Sequence, residues 1–137
     1  MSSLDWQNLT EFTEKRIVEF HAKRLDRLKT LKLKDILKRK NPYLFRAKNA
    51  LFAHDLVEPI LVAHLSSQEE TLFGEFLEKL AIFVCQRSLG GVKSSAEGID
   101  LEFTKDDIRY LVTIKSGPNW GNSSQINKMV DNFKKAT

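Results

Sequence analysis

Apolar residues recur at three- and four-residue spacing over residues 4–39 of the chain. This spacing places them on one face of a helix, and it predicts one long helix or two shorter ones. Asn41-Pro42 ends the region, because proline cannot continue a helical hydrogen-bond ladder and disfavours helical geometry in its predecessor. Residues 43–64 are predicted to form one or two further helices, with a break near Pro59.

The second half of the chain begins with a helix and continues with strand-like alternation. Both serines of Ser66-Ser67-Gln68-Glu69-Glu70 have a glutamate three positions on, which is the capping-box spacing and predicts a helix start. Gly90-Gly91 is expected to end that helix in a left-handed cap. Three short strands should follow over 91–95, 99–104 and 109–115, and then a helix over 125–135 capped by Ser123 or Ser124.

The two longer strands are predicted to form a hairpin around the turn Lys105-Asp106-Asp107. If Thr104 pairs with Arg109, Asp100 lies opposite Thr113, and alternate side chains of each strand share a face. One face is then apolar and suits a core. The other face gathers two carboxylates, a hydroxyl and an ammonium group: Asp100, Glu102, Thr113 and Lys115.

This polar face carries the groups that phosphodiester hydrolysis needs. Carboxylates bind Mg²⁺, which keeps several of its waters. The ion lowers the pKa of a water and screens phosphate charge, and a neighbouring lysine can assist the nucleophile and stabilise the transition state. An exposed sheet face with ordinary cross-strand ion pairs would show the same charges. The pattern of charges alone leaves both interpretations open.

The order of motifs over residues 66–133 favours the first interpretation. A helix with an internal glutamate, a Gly-Gly turn, a strand, Gly98-Ile99-Asp100, a hairpin and a final lysine follow one another. This order resembles the PD-(D/E)xK nuclease superfamily, above all type II restriction endonucleases and the Mrr-like branch. The resemblance implies that Asp100 binds the metal, that Lys115 is the catalytic lysine, and that Glu78, with Glu75 as a competitor, is the glutamate of the first core helix. Residues before 66 lie outside it.

Two features depart from the superfamily pattern. Thr113 stands where Glu, Asp or sometimes Gln is usual, so Glu102 or Glu78 would have to supply the second carboxylate. The superfamily core also adds a fourth strand after its second helix, whereas this chain ends at Thr137. We therefore expect either a fragment of a longer enzyme or a strand replaced by a partner.

The predicted fold class is α/β. A restriction-endonuclease-like core of helix, three-stranded mixed or antiparallel sheet and helix, without its final strand, is expected over residues 66–137. An all-helical N-terminal region is expected over residues 1–65. A chain of 137 residues is long enough for one compact domain.

Composition and charge are compatible with a nucleic-acid partner. Lys and Arg number 22 against 18 Asp and Glu, which gives a net charge of +4. Cys85 is the single cysteine, so an internal disulfide and a cysteine-based zinc site are excluded, and its apolar neighbours predict a buried thiol. No apolar run approaches the ~20 residues of a membrane span, and the first residues lack a targeting pattern, which predicts a soluble cytoplasmic protein.

The polar loop after Lys115 suits contact with DNA. Its amides and hydroxyls match phosphates and base edges, and the indole of Trp120 can stack or wedge against nucleic acid. In the alternative interpretation, Trp120 packs on the sheet and the polar residues cap the next helix. The expected DNA-binding residues are Asn119, Trp120, Asn122, Ser123, Ser124 and Gln125.

The sequence thus predicts a Mg²⁺-dependent DNA endonuclease of type II restriction enzyme type, acting on double-stranded DNA as a homodimer. Lys115 would assist a water that attacks in line, and the resemblance implies 5′-phosphate ends. The predicted metal ligands are Asp100, Glu102, Glu78 and the backbone carbonyl of Ile114. A catalytically inactive nucleic-acid-binding or interaction domain, with a degenerate or truncated nuclease core, is the alternative. A helical scaffold whose sheet is an oligomer interface is a third.

Overall fold

The computed structural model of the chain describes residues 4–38, 40–117 and 120–137. These residues form five helices and one three-stranded antiparallel sheet, which confirms the predicted α/β class. None of the described helices has both the length and the apolar content that crossing a bilayer requires. The elements are, in order, α1 (Trp6–Lys29), α2 (Leu33–Leu37), α3 (Pro42–Ala47), α4 (Ala53–Leu89), β1 (Val92–Lys93), β2 (Leu101–Lys105), β3 (Ile108–Val112) and α5 (Ser123–Ala136).

Contacts between residues divide the chain into two compact units. The first unit combines Met1–Glu19 with Phe73–Thr137, and it contains the whole sheet. The second unit is Phe20–Leu72, and its buried apolar residues are Ile36, Ile60 and Leu72. The predicted division of the chain at residue 65 remains a prediction.

Helix α4 is continuous where the sequence predicts two boundaries. The predicted helix start at Ser66 is wrong, and Pro59 lies inside the helix instead of breaking it. A capping box would turn Glu69 back to the Ser66 amide, but the Glu69 carboxylate forms an ion pair with Arg24 instead. The Thr71 hydroxyl donates to the Ser67 carbonyl at 3.1 Å, as it does within a helix. Proline removes one backbone hydrogen bond, and the remaining length of α4 tolerates that loss.

The other helix ends follow local sequence signals. The Asn41 side chain accepts a hydrogen bond from the Tyr43 amide and caps α3, so the predicted boundary at Asn41-Pro42 is confirmed. Gly90 has φ +67°, which confirms the predicted left-handed end of α4. The predicted cap of the last helix by Ser123 or Ser124 is wrong, because Asn122 caps α5 and forms a capping box with Gln125.

Aromatic rings connect α1 and α4 within the first unit. The rings of Phe12 and Phe83 stack with centroids 4.0 Å apart, and the Arg87 guanidinium lies 3.9 Å above the Phe83 ring. Cys85 is 7% exposed, so the predicted buried thiol is confirmed, and burial raises the pKa of that thiol. The buried apolar residues of this unit are Phe76, Phe83, Cys85, Ile99 and Leu101.

The hairpin of β2 and β3 has the predicted register. Asp106 and Asp107 form its two-residue turn with φ of 51° and 60°, as a turn of type I′ requires. Thr104 pairs with Arg109 across this turn. The strands are shorter than predicted, and β3 ends at Val112 instead of Lys115. Antiparallel pairing of β1 with β2 completes the sheet in the order β1-β2-β3.

Gly98 allows α5 to pack against the entry to β2. Its φ of +74° lies in the left-handed region, and a Cβ at this position would lie 3.0 Å from Cγ of Asn132 and closer still to its Nδ2. Asn132 is only 8% exposed, so its side chain cannot simply turn into solvent. The glycine of Gly98-Ile99-Asp100 therefore sets the position from which Asp100 projects.

We expect Gly98→Ala to lower the free energy of unfolding by about 1–3 kcal/mol, because the added methyl group combines backbone strain with overpacking against Asn132. Urea unfolding followed by circular dichroism measures the loss. Gly117→Ala is the matched control, since a Cβ at Gly117 meets no atom of the described residues within 4 Å. Equal unfolding midpoints for the two variants would contradict the packing described for Gly98.

Candidate active site

Asp100, Thr113 and Lys115 are joined by a chain of hydrogen bonds. Oδ2 of Asp100 accepts from the Thr113 hydroxyl at 2.9 Å and from the Ile114 backbone N–H at 2.6 Å. The Lys115 ammonium donates to the same Thr113 hydroxyl at 3.1 Å. Three of the four side chains predicted to share this face of the hairpin are therefore in contact in the structure.

Backbone bonds on both sides fix Asp100 between the outer strands. Its N–H donates to the Val112 carbonyl at 2.9 Å, and its carbonyl accepts from the Ser94 N–H at 3.3 Å. Beyond Val112 the backbone hydrogen-bond ladder between β2 and β3 ends, because the Asp100 carboxylate, and not a backbone carbonyl, accepts the N–H of Ile114. This substitution of a carboxylate for a backbone partner explains why β3 is shorter than its sequence pattern predicts.

Glu102 lies on the same face, but its carboxylate has other partners. Its Oε2 accepts from Arg109 at 2.7 Å and from the Ser94 hydroxyl at 3.1 Å. The hydrogen bond from Arg109 is the main cause that lowers the pKa of Glu102, and the bond from Ser94 adds to it. Arg109 also donates to the Ala136 carbonyl at 3.2 Å, which ties the end of α5 to the sheet.

Glu78 is directed to a different partner from Asp100. Its Oε1 lies 3.1 Å from the Lys93 ammonium. Lys93 pairs with Leu101 in the sheet, so strand alternation puts it on the face opposite to Asp100 and Glu102. The structure therefore does not bring Glu78 into contact with the Asp100 cluster.

The donor set fits a cation that keeps most of its waters. Within residues 4–38, 40–117 and 120–137, no three His, Cys, Asp or Glu side chains are grouped to hold a metal ion. The described residues therefore do not surround a metal ion with protein ligands alone. Mg²⁺ is bound through one or two carboxylates together with waters, and Asp100 with Glu102 two positions along the same face fits that requirement.

Trp120 stands beside the lysine at the end of the hairpin. The Lys115 ammonium lies 5.3 Å from the centroid of the indole ring, within the range of a cation–π contact. Both residues line a cleft of about 360 Å³ between the hairpin and α5. The rest of its wall is formed by Gly98, Gly121, Gln125, Lys128, Met129 and Asn132.

The predicted DNA-binding residues lie around the start of α5. Oδ1 of Asn122 accepts from the Gln125 amide at 3.1 Å and from the Ser124 hydroxyl at 2.7 Å, and Oε1 of Gln125 accepts from the Asn122 amide at 2.9 Å. Ser123 is the first residue of the helix, and Asn119 lies outside the described residues. The side chains of Asn122, Ser124 and Gln125 thus contribute to the cap, and their role in DNA binding remains a prediction.

Two further residues contribute to this face, Ser94 and Arg109, and neither was among the predicted site residues. Both are partners of Glu102. The predicted hairpin register contained the signal for Arg109, because the partner of Thr104 must share a face with Glu102. No comparable pattern indicated the hydrogen bond from Ser94 to Glu102, since this bond depends on the pairing of β1 with β2.

In a mixed α/β core, Asp100 and Lys115 are linked through the Thr113 hydroxyl, an arrangement that is consistent with a restriction-endonuclease-like protein. A model of the family described as type II restriction endonuclease EcoO109I matches residues 7–137, and the chain belongs to this family of the PD-(D/E)xK superfamily. No curated protein and no solved structure matches the chain.

The family match corrects one expectation from the sequence. It begins at residue 7, so the prediction that residues before 66 lie outside the resemblance is wrong. The helical first half belongs to the family pattern together with the hairpin. The first half lacks the acidic residues and the lysine of the superfamily motif. The motifs of the second half therefore gave no sign that the helical first half belongs to the same family pattern.

We expect Arg109→Met to raise the pKa of Glu102, because the variant loses the hydrogen bond that lowers it. A depressed carboxyl pKa stabilises the fold above the unfolded-state value of 4.5, and that stabilisation is lost as the pH falls through the folded-state pKa. The metal-free wild-type protein should thus lose more stability than Arg109→Met as the pH falls below that value.

Urea unfolding at a series of pH values measures the difference. Lys105→Met is the control, because Lys105 is an exposed residue at the turn of the same hairpin. Its pH dependence should match that of the wild-type protein. If Arg109→Met also matched the wild-type protein, the interaction would not be what lowers the pKa of Glu102.

Proposed function

We propose that the protein is a Mg²⁺-dependent endonuclease that hydrolyses phosphodiester bonds in double-stranded DNA at specific sites. The observation that carries the proposal is the hydrogen-bonded chain from Asp100 through Thr113 to Lys115. The match over residues 7–137 to a family of type II restriction endonucleases supports both the reaction and the substrate class.

Asp100 would be the principal ligand of the cation in this proposal. Glu102 or Glu78 would add a second carboxylate, and the backbone carbonyl of Ile114 would be a further ligand. When bound, Mg²⁺ lowers the pKa of a coordinated water and screens the charge of the scissile phosphate. The N–H of Ile114, 2.6 Å from Oδ2, orients the Asp100 carboxylate for this role.

The second carboxylate must exchange partners before it can act. Glu102 would have to leave Arg109 and Ser94, and Glu78 would have to leave Lys93. DNA phosphates compete for arginine and lysine side chains, so substrate binding itself favours this exchange. Glu102 has the shorter path, because it already shares a sheet face with Asp100.

Lys115 would act on the reacting phosphate. Its exposed ammonium is a donor of three hydrogen bonds, one of which goes to Thr113, so it retains donors for a phosphate oxygen or for the attacking water. A positive charge at that point stabilises the charge that builds up on the phosphate in the transition state. Water would attack the phosphorus in line with the bond to the 3′ oxygen, which breaks, and the 3′ oxygen leaves with a proton, so that the phosphate stays on the 5′ end, as the family resemblance implies.

The surrounding surface suits the DNA backbone. Lys128 lines the same cleft as Lys115 and Trp120, and its ammonium lies 3.7 Å from the exposed Glu97 carboxylate. DNA phosphates compete with such an exposed carboxylate for the lysine, so the cleft attracts the DNA backbone in a salt-dependent manner. Trp120, Asn122, Ser123, Ser124 and Gln125 would contact the DNA next to the scissile bond, together with Asn119. We further propose that two copies act together, because a palindromic site presents two equivalent strands.

One observation favours a second candidate function, a catalytically inactive DNA-binding domain. Glu102 and Glu78 are each held by a basic side chain, and Asp100 is the one carboxylate of the described residues that the Thr113–Lys115 chain reaches. This candidate predicts DNA binding with a steep dependence on salt and no cleavage with any divalent cation.

We expect Asp100→Asn and Lys115→Ala each to reduce Mg²⁺-dependent cleavage by at least about 100-fold, because each variant removes charge stabilisation from the reacting centre. Cleavage of a long double-stranded DNA of varied sequence is measured by gel electrophoresis. Removal of Mg²⁺ with a chelator should abolish cleavage by the wild-type protein.

Two matched controls lie at the turn of the same hairpin. Asp107→Asn makes the same substitution as Asp100→Asn at an exposed position with φ 60°, which asparagine accepts, and Lys105→Ala removes an exposed lysine. Both should cut like the wild-type protein, and circular dichroism should show all four variants folded. Cleavage retained by folded Asp100→Asn and Lys115→Ala would exclude the proposed roles, and DNA binding without cleavage by the wild-type protein would select the second candidate.

A further inference from the structure

We propose that Thr113 is a positioning residue whose hydroxyl holds the Lys115 ammonium at a set distance from the Asp100 carboxylate, in place of the strand carboxylate that the superfamily usually has there. This inference deepens the proposed function and rests on it. Its starting point is the pair of hydrogen bonds of one hydroxyl, 2.9 Å to Oδ2 of Asp100 and 3.1 Å to Nζ of Lys115.

The direction of both hydrogen bonds follows from the chemistry of the three groups. An ammonium group only donates, an ionised carboxylate only accepts, and a hydroxyl has one proton to donate and lone pairs to accept. The Thr113 hydroxyl must therefore give its proton to Asp100 and accept one from Lys115. Oδ2 of Asp100 takes its second bond from the Ile114 N–H, so the acceptor end of the chain is also fixed.

Threonine is suited to hold this arrangement rigidly. A β-branched side chain has few χ1 rotamers, and the Thr113 hydroxyl reaches Oδ2 of Asp100 on the facing segment. The side chain is half-buried, whereas Lys115 is exposed and flexible along its four-carbon stem. One short, stiff residue can thereby confine the amine of a long, mobile one.

A neutral hydroxyl also changes the charge of the centre. Asp100, Thr113 and Lys115 together carry no net charge, whereas a glutamate at position 113 would make the trio negative and repel the Asp100 carboxylate. The Thr113 hydroxyl therefore supplies geometry without supplying a cation ligand. Its effect should appear in the placement of Lys115 and not in the affinity for DNA.

The variants that test this inference are Thr113→Val and Thr113→Ser. Valine keeps the branched shape and removes the hydroxyl, and serine keeps the hydroxyl. We expect Thr113→Val to lower kcat for Mg²⁺-dependent cleavage by about 10–100-fold, as misplacement of a catalytic group does, with KM and DNA affinity within about 3-fold of wild type. Thr113→Ser should stay within about 3-fold of wild type in all of these quantities.

A second readout is independent of cleavage. In ¹⁵N-labelled protein, the ammonium protons of a hydrogen-bonded lysine exchange more slowly with water than those of a free one. The Lys115 ammonium signal, assigned by its loss in Lys115→Ala, should be present in the wild-type protein and in Thr113→Ser. The exchange rate should rise in Thr113→Val, while unfolding in urea shows that the variant remains folded.

The outcomes separate this inference from the proposed function. If the wild-type protein does not cut DNA but Thr113→Val frees the Lys115 ammonium and Thr113→Ser does not, the positioning role stands and the nuclease function fails. If the protein cuts DNA and Thr113→Val matches it in kcat and ammonium exchange, the nuclease function stands and the inference is overturned. It is also overturned if Thr113→Ser behaves like Thr113→Val, or if Thr113→Val fails to fold while Thr113→Ser folds and leaves the ammonium free.

Discussion

The hydrogen bond from the Ile114 N–H to the Asp100 carboxylate is the interaction on which the rest of the site depends. At 2.6 Å it joins the entry of one strand to the exit of its neighbour, where the backbone ladder has ended. It places Oδ2 within reach of Thr113, and through that hydroxyl it determines where Lys115 lies. Gly98 contributes from the other side, because the close packing of Asn132 against it sets the direction in which the chain enters β2.

In this fold, basic side chains pair with carboxylates that a bound cation would also need. Glu102 is held by Arg109 and Glu78 by Lys93, whereas the hydrogen-bond donors to Asp100 among the described residues, Thr113 and the Ile114 N–H, are neutral. A carboxylate held by neutral donors keeps its full negative charge toward an incoming cation, whereas an ion pair has already compensated it. In the proposed mechanism, this difference favours Asp100 as the first ligand of the cation and links the recruitment of a second carboxylate to the arrival of DNA phosphates.

The local sequence is enough to predict the hairpin. The features that it did not predict depend on contacts between residues that are distant in the sequence. Two aspartates between alternating strands are enough to fix the register of Thr104 with Arg109, and with it the face shared by Asp100 and Thr113. The capping pattern at Ser66 is just as clear locally, yet α4 passes through it and Arg24 takes Glu69 from elsewhere in the chain. Two of the partners, Ser94 of Glu102 and Lys93 of Glu78, were hidden for the same reason, since they reach these glutamates through the pairing of β1, a strand of two residues.

We propose that Asp100 receives the cation and that the polar face of the hairpin is a reaction centre. Carboxyl ¹³C resonances followed through a Mg²⁺ titration of the folded protein test it most directly. We expect a saturable shift of the Asp100 resonance, with the resonances of Asp106 and Asp107 at the hairpin turn unchanged. An Asp100 resonance that does not move while the other carboxylates shift together would contradict it.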